Sequence, residues 1–190
     1  MDGLTISNGD DAIAMSNGGR GLYIYNIPAG DIAGGSVTPF IEEDFVVYKA
    51  RWSPDDKSLY FFGGPDAAGG GTDGLYRFDL DNRVLTRIFN RQPGHRIYVD
   101  VAQATNGTTL IATSLDGSLQ LYDGSGNPIT LTNAPVGDNF VFNCDATQVL
   151  HRVPGTRKTR LAISQLSGGT STWAEGRVQP IADWMPRQPC

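Results

Sequence analysis

Short apolar runs separated by turn residues recur along the whole chain. The pattern is clearest in the second quarter, where the runs fall at 50–52, 58–62, 75–80 and 84–88. Residues typical of turns or loops, such as Pro54 and Asp55, stand between successive runs. Runs of this length with turn residues at every joint predict four short antiparallel strands.

The same order of strands and turns occurs four times, in segments 4–41, 50–89, 98–132 and 139–174. Aligning the second strand of each segment puts four apolar residues in register: Ile13, Leu59, Leu110 and Val149. A period near 40–50 residues with four strands per unit is typical of a β-propeller. A β-sandwich also has short strands, but it does not explain four copies of one strand pattern. We therefore predict an all-β propeller of about four four-stranded blades within residues 1–178.

The last residues repeat the start of the second unit. Segment 182–187 (ADWMPR) aligns with segment 50–55 (ARWSPD). We expect residues 179–190 to form a terminal strand and tail, with the strand opening a fifth blade. A ring larger than four blades would need more chain or another subunit.

Composition supports this fold class and limits the partners. The 190 residues include 24 Gly and 11 Pro, a content that implies many turns. The net charge is −5, whereas a nucleic-acid-binding protein normally presents a basic face, so we expect no nucleic-acid partner. No apolar run approaches 18 residues, so we expect no membrane insertion.

Segment 52–61 (WSPDDKSLYF), followed by segment 75–80 (LYRFDL), resembles the TolB-like or WD40-like (PD40) propeller repeat, which reads W-S-P-D-G-K-x-L-x-F and then L-Y-x-x-D-L. Segment 183–186 (DWMP) is similar to the D-W-x-P with which such propellers often end. The match is good in the second unit and partial in the first and third. It is poor in the fourth, where Asn143-Cys144-Asp145 replaces S-P-D. The motif is structural and specifies no activity, because one fold hosts many functions.

Each residue of this repeat has an expected structural role. Pro54 and Asp55 favour a tight turn between the first two strands. Trp52 is expected to pack between neighbouring blades, and Trp184 is its counterpart in the terminal segment. Asp79 and Asp123 stand at equivalent strand ends, where a carboxylate can accept hydrogen bonds from turn amides.

The glycine-rich segment 63–74 contains no Lys, and no helix is predicted after it, so it does not fit a phosphate-binding loop. We predict a long loop on one face of the propeller, where loops commonly carry binding functions. The residues expected to contact a protein partner are Asp66, Thr72 and Asp73 in this loop, with Trp184 and Met185 in the terminal segment.

Catalysis and metal binding have little support in the sequence. There is no Gly-x-Ser-x-Gly motif, and neither His95 nor His151 has a second His or Cys at ligand spacing. We expect His95 to be solvated in a polar loop and His151 to face a blade interface or the ring axis. Segment 123–127 carries oxygen donors at alternate positions, but it lacks the glycine and glutamate of a calcium loop and is predicted to be a turn. We predict no catalytic residues, no metal site and no cofactor.

Two cysteines do not make a disulfide framework. We expect Cys144 to be buried and Cys190 to be a free thiol at the terminus. A disulfide between the two is the alternative.

These observations favour a non-enzymatic scaffold that mediates protein–protein interaction. One alternative is a structural component of a phage virion or another multi-subunit assembly, with copies of the chain among its partners. Another is the propeller part of a hydrolase. The resemblance implies bacterial envelope or extracellular complexes, so a periplasmic, extracellular or virion location is expected rather than a cytoplasmic one.

Overall fold

The computed structural model describes residues 4–17, 19–29, 32–65, 73–153, 160–167 and 172–175. These residues form strands and turns, with one short 3₁₀ helix at Ile32–Gly34 and no α-helix. The all-β prediction is therefore confirmed. The chain divides into two compact units, Met1–Arg91 and Gln92–Cys190, which are described separately below.

Unit 1 contains an antiparallel sheet of seven strands in sequence order. The strands are β1 Leu4–Ile6, β2 Ala12–Asn17, β3 Arg20–Asn26, β4 Ser36–Trp52, β5 Ser58–Pro65, β6 Gly74–Asp79 and β7 Val84–Asn90. We call β1 to β3 with the first part of β4 blade 1, and the last part of β4 with β5 to β7 blade 2.

Strand β4 differs from the sequence prediction, which placed a break between the fourth strand of blade 1 and the first strand of blade 2. The first part of β4 pairs with β3 and the last part pairs with β5, so one strand serves both blades. The change of partner falls within residues 41–46, where Ile41 pairs with β3 and Phe45 pairs with β5. The register shift between Tyr48 and Arg51, where Lys49 has a left-handed φ of 42°, lies in the part that pairs with β5. Segment 42–49 contains charged residues but no Gly or Pro, so nothing in it ends a strand.

Unit 2 contains two separate four-stranded antiparallel sheets, ordered β11-β10-β9-β8 and β12-β13-β14-β15. Blade 3 consists of β8 Asp100–Gln103, β9 Thr109–Leu115, β10 Ser118–Asp123 and β11 Pro128–Ile129. Blade 4 consists of β12 Asp138–Phe142, β13 Gln148–Val153, β14 Arg160–Gln165 and β15 Thr172–Glu175.

The sequence alignment of blade 3 was wrong by one residue. Asp123 pairs with Leu110 in blade 3, whereas the equivalent Asp79 pairs with Ser58 in blade 2. Ile111, and not Leu110, therefore corresponds to Leu59. The first turn of blade 3 also differs in length, since it closes from Ala104 to Thr108 and is one residue shorter than the turn of blade 2, which closes from Ser53 to Ser58. A shift of one residue exchanges the two faces of a strand, which explains why Ile111 is buried and Leu110 only partly buried.

Each unit buries an apolar core between its two blades. In unit 1, small and branched side chains of blade 1 pack against aromatic side chains of blade 2, and the cluster includes Ala14, Leu22, Ile24, Trp52, Phe61 and Phe78. In unit 2, the corresponding cluster includes Ala112, Leu119, Leu121, Phe140, Phe142 and Val149. Because side chains alternate between the two faces of a strand, one face of blade 1 packs against blade 2, and one face of blade 4 packs against blade 3.

Candidate functional site

In blades 1, 2 and 4, the end of the third strand hydrogen-bonds to the turn between the first two strands. In blade 2 the amide of Leu80 donates to the carbonyl of Lys57 at 3.0 Å, and in blade 4 the amide of Leu166 donates to that of Thr147 at 2.9 Å. We call this edge of each unit its turn end. It comprises residues 7–11, 53–57 and 79–83 in unit 1, and residues 104–108, 123–127 and 143–147 in unit 2.

The first turn of blade 2 is closed by two side chains of the repeat motif. Asp55 accepts hydrogen bonds from the Ser53 hydroxyl at 2.6 Å and from the Lys57 amide at 3.1 Å. The Ser53 hydroxyl in turn accepts the Ser58 amide at 2.9 Å. Burial acts to raise the pKa of Asp55, but the hydrogen bonds from Ser53 and Lys57 outweigh it and hold this pKa below its usual value.

Blade 4 builds the same turn from different residues. Asp145 accepts hydrogen bonds from the Asn143 side-chain amide at 2.7 Å and from the Thr147 amide at 3.1 Å. Asn143 accepts the Gln148 amide at 2.8 Å, as Ser53 accepts Ser58 in blade 2. The sequence analysis aligned these residues with S-P-D but counted the match as poor because it compared residue identity, whereas the turn needs only an oxygen acceptor that can also donate to the aspartate. The hydrogen bond from the Thr147 hydroxyl lowers the pKa of Asp145 most, and the hydrogen bond from the Thr147 amide lowers it further.

The turns between third and fourth strands are held by Asp79 and Asp123. Asp79 accepts the amide of Asn82 at 2.9 Å and forms an ion pair with Arg77 at 3.3 Å. Asp123 accepts the amides of Ser125 and Asn127, each at 2.9 Å, and the Asn127 side chain at 2.8 Å. Hydrogen bonds from Asn127 are the main cause that lowers the pKa of Asp123. The carboxylate oxygens of Asp123, which were among those considered for calcium, thus accept hydrogen bonds from the turn itself.

Asp56 connects the turns of two neighbouring blades. One of its oxygens accepts the main-chain amide of Asn8 at 2.8 Å and the Asn8 side chain at 2.7 Å, and the other accepts the amide of Gly9 at 2.9 Å. Asp56 has a left-handed φ of 56° and stands where the repeat motif has glycine. An aspartate tolerates this conformation better than most residues and adds a carboxylate that reaches the next blade.

Trp52 lies in the core between blades 1 and 2 with 6% of its surface exposed. Its indole N–H donates a hydrogen bond to the carbonyl of Thr5 at 3.1 Å. The side chain therefore contributes both apolar area and one directional contact between the first strands of neighbouring blades. Pro54 occupies the turn next to it and is partly exposed.

Only one of the predicted partner-contact residues lies in the described part of the chain. Asp73 pairs with Arg91 at 3.1 Å, which links the start of β6 to the residue after β7. The predicted loop is shorter than expected, because β5 continues through Gly63 and Gly64 to Pro65. Asp66, Thr72, Trp184 and Met185 lie outside the described residues, and their role remains a prediction.

The two histidines are both buried, with 3% of His95 and 2% of His151 exposed. The prediction that His95 is solvated was wrong, because its Nδ1 accepts the amide of Gln92 at 3.0 Å in a closed turn. His151 stacks on Phe140 at 5.1 Å between ring centres and hydrogen-bonds to Ser164 at 2.9 Å. Burial is the main cause that lowers the pKa of His151, against opposing effects of the Val136 backbone and the charge of Asp138.

Cys144 also differs from its prediction. It is exposed in the first turn of blade 4 and is disulfide-bonded, and the described residues contain no free cysteine. The only other cysteine in the sequence is Cys190, which lies outside the described residues. Cys144 corresponds to Pro54 of blade 2, which is partly exposed in its turn. The apolar character of cysteine was therefore a poor guide to the exposure of Cys144.

No group of three or more His, Cys, Asp or Glu side chains among the described residues is arranged to hold a metal ion. Within the same ranges, no helix is long and apolar enough to cross a membrane.

Solved structures similar to this chain include TolB proteins. Putative TolB from Agrobacterium tumefaciens matches with a TM-score of 0.60 and 14% identity, over 92% of this chain and 61% of that one. TolB from Acinetobacter baumannii matches with a TM-score of 0.59 and 18% identity, over 90% of this chain and 42% of that one. A chain of the mitotic checkpoint complex matches with a TM-score of 0.57 and 17% identity, over 90% of this chain and 49% of that one.

These comparisons define the fold class: the chain has a β-propeller fold. More particularly, the fold is TolB-like, as the resemblance of segments 52–61 and 75–80 implied. The chain spans about two fifths to three fifths of the length of these structures. Enzymes are also among the matches, including a prolyl endopeptidase at 10% identity, so the likeness establishes the fold and not an activity. No protein-family model matches the sequence, and no curated protein is significantly similar to it.

Proposed function

We propose that this chain is a non-enzymatic propeller module of the PD40 type that presents its turn end to a protein partner. The observation that carries the proposal is the use of the turn carboxylates. Asp55, Asp79, Asp123 and Asp145 each accept hydrogen bonds from their own turn, and Asp56 from a neighbouring one. Within each unit, turns fixed in this way form a preorganised polar surface, which lowers the entropy lost when a partner binds.

The histidines support a binding role over a catalytic one. General acid–base chemistry needs a titratable group within hydrogen-bond reach of the substrate. His95 and His151 are almost completely buried and hydrogen-bonded inside unit 2. A hydrolase that uses this chain as its propeller part would need its catalytic groups from elsewhere.

Site-specific photo-cross-linking tests the proposal. We would place p-benzoylphenylalanine at Lys57, which is exposed at the turn end of blade 2, and in a matched variant at Asn90, which is exposed at the opposite end of the same blade. In an extract of the native source, irradiation should give a defined cross-linked protein with the Lys57 variant. An excess of unlabelled chain should compete it away.

The Asn90 variant should give no such product. Equal products from both variants, or none from Lys57, would contradict a partner site at the turn end. A component of a multi-subunit assembly, such as a virion, is a second candidate function, and the exposed apolar side chains of Leu4, Ile6 and Val37 in blade 1 favour it.

A further inference from the structure

The sequence contains three Asn-Gly pairs, at 8–9, 17–18 and 106–107. This pair is chemically labile, because glycine has no side chain to hinder the attack of its main-chain nitrogen on the asparagine side-chain amide. The first and third pairs lie in the first turns of blades 1 and 3, and both are exposed. Gly18 of the second pair lies outside the described residues. The two exposed pairs share one dipeptide and one kind of turn but differ in their surroundings.

The side chain of Asn106 folds over the main-chain nitrogen of Gly107. Its Oδ1 accepts the amide of Thr108 at 3.0 Å, which closes an Asx turn around the glycine. Gly107 has a left-handed φ of 83°, and apart from its two chain neighbours no described residue lies within 4 Å of the position that a Cβ would take. None of the described residues accepts a hydrogen bond from Asn106 Nδ2. The side-chain amide is therefore close to its attacking nitrogen, and its leaving nitrogen is not held.

The Thr108 amide also stabilises the atom that gains charge in this reaction. When the nitrogen of Gly107 adds to Cγ of Asn106, negative charge develops on Oδ1, which already accepts this hydrogen bond. A donor fixed at the site of developing charge lowers the barrier. One hydrogen bond opposes the attack, because the Gly107 amide donates to the Ala104 carbonyl at 2.8 Å. That bond lies within one turn and has an uncharged acceptor, so breaking it requires no separation of two blades.

Asp56 holds the pair in blade 1 in an unreactive arrangement. The Gly9 amide donates to one of its carboxylate oxygens at 2.9 Å. The Asn8 side chain donates to the other oxygen at 2.7 Å and to the Ser53 carbonyl at 2.9 Å, so its Nδ2 is held toward blade 2. Loss of the Gly9 amide proton would place a negative charge beside the carboxylate, which repulsion between like charges disfavours. The attacking and the leaving nitrogen of this pair are therefore both restrained.

We propose that Asn106 is a site of spontaneous deamidation and that Asp56 protects Asn8 from the same reaction. The nitrogen of Gly107 loses its proton to a base in solution and forms a bond to Cγ of Asn106. The Cγ–Nδ2 bond breaks, and Nδ2 takes a proton from water and leaves as ammonia. Water then opens the succinimide ring to aspartate or isoaspartate, so the reaction needs water and base but no oxidant or enzyme.

The reaction changes the turn end of unit 2. Both products place a carboxylate at position 106, and the isoaspartate form also lengthens the main chain by one carbon inside the turn that Ala104 and Thr108 close. The charge and the shape of this surface therefore change as the protein ages. The inference goes beyond the proposed function and does not depend on it.

Peptide mapping by tandem mass spectrometry, after incubation of the folded chain at pH 8, tests the proposal. The mass increase caused by replacing NH₂ with OH is assigned to each asparagine, and protein isoaspartyl methyltransferase detects the isoaspartate form. Asn106 should convert at least about tenfold faster than Asn8, the factor expected for breaking one hydrogen bond to a charged group. In guanidinium chloride the turns are lost and only the shared dipeptide remains, so the two rates should converge.

Variants separate the role of Asp56 from that of the dipeptide. Asp56→Ala should raise the rate at Asn8 by about tenfold and leave the rate at Asn106 in the same sample unchanged. The matched variant Asp81→Ala, at an exposed position in the next turn, should change neither rate. If circular dichroism shows that Asp56→Ala is not folded, Asp56→Asn removes the charge but keeps an acceptor oxygen, and it should raise the rate at Asn8 by a smaller factor.

Equal rates at Asn8 and Asn106 in the folded chain would overturn the proposal. Conversion of Asn106 in guanidinium chloride but not in the folded chain would overturn it as well, because the turn would then protect the residue. An unchanged rate at Asn8 in a folded Asp56 variant would refute the protection by Asp56.

Discussion

The carboxylate of Asp56 holds Asn8 across the boundary between two blades, with hydrogen bonds of 2.8 Å to its main-chain amide and 2.7 Å to its side chain. The contact joins residues 48 positions apart and fixes the first turn of blade 1 against that of blade 2. The Asn8 side chain also donates to the Ser53 carbonyl at 2.9 Å. A single surface aspartate thus contributes to the order of the turn end.

Replacing this aspartate should loosen the contact between the blades. Asp56→Ala removes the acceptor for Asn8 and Gly9, and these donors are exposed, so water can replace part of what is lost. We expect a decrease of about 1–2 kcal/mol in the free energy of unfolding, measured by urea denaturation. Asp81→Ala, at an exposed position in the next turn, should change it by less than about 0.5 kcal/mol. Similar losses in both variants would contradict the role given to Asp56.

Substitutions of Trp52 test a second contact between blades 1 and 2, the hydrogen bond from its indole N–H to the Thr5 carbonyl. Trp52→Phe keeps an aromatic ring but removes the indole N–H that donates to the Thr5 carbonyl. We expect a loss of about 1–2 kcal/mol, because Thr5 is partly exposed and water can satisfy its carbonyl. Trp52→Ala also opens a cavity in a buried core and should cost about 3–5 kcal/mol. Equal stability of the wild type and the Phe variant would mean that the hydrogen bond contributes nothing.

Much of the fold could be predicted from the sequence because turns and strands are local features. The turn residues at 53–56 and the alternation in 75–80 are visible without any long-range information. The length of β4 could not be predicted, because it depends on one strand pairing with two partners. The register of blade 3 was missed for a related reason, since only strand pairing reveals that Asp123 lies opposite Leu110.

The candidate site was less predictable than the fold. A contact such as Asp56 to Asn8 joins two repeats, and no pattern within one repeat indicates it. The turn of blade 4 was aligned with the motif but counted as a poor match, because Asn143 makes the hydrogen bond of Ser53 with a different side chain. The exposed side chains of Leu4, Ile6 and Val37 in blade 1 follow the same alternation as those of a buried strand, so the sequence pattern does not reveal their exposure.

His151 should make the stability of unit 2 depend on pH. Burial lowers its pKa in the folded protein below the value near 6.5 expected for the unfolded chain. Between these two values the unfolded chain binds more protons, so stability is fully present above about pH 6.5 and decreases as the pH falls. We expect a decrease of up to ~1 kcal/mol per pH unit between pH 6.5 and 5.

The comparison variant is His151→Gln, which removes the titration and keeps a group that can hydrogen-bond to Ser164. This variant should be less stable at pH 7 but lose less stability on acidification. Urea denaturation at pH 5, 6 and 7 measures both slopes. An unchanged slope in the variant would assign the pH dependence to other groups.

The state of Cys144 is open to direct chemical measurement. Because Cys144 is disulfide-bonded, the protein purified without reductant should show no thiol that reacts with Ellman's reagent, even in denaturant. Reduction should release both cysteines of the chain. Cys144→Ser should lower the free energy of unfolding by about 2–4 kcal/mol under oxidising conditions and have little effect once the protein is reduced. A reactive thiol before reduction would show that the bond does not form.

The central claim is that the turn carboxylates hold the turn end rigid, and amide hydrogen exchange measured by NMR tests it most directly. The amides of Asn8, Gly9, Asn82, Ser125 and Asn127 donate to aspartate side chains. In the wild type they should exchange more slowly than in an unstructured peptide. In Asp56→Ala, Asn8 and Gly9 alone should lose this protection. Exchange of all five at unstructured rates in the wild type would contradict the account.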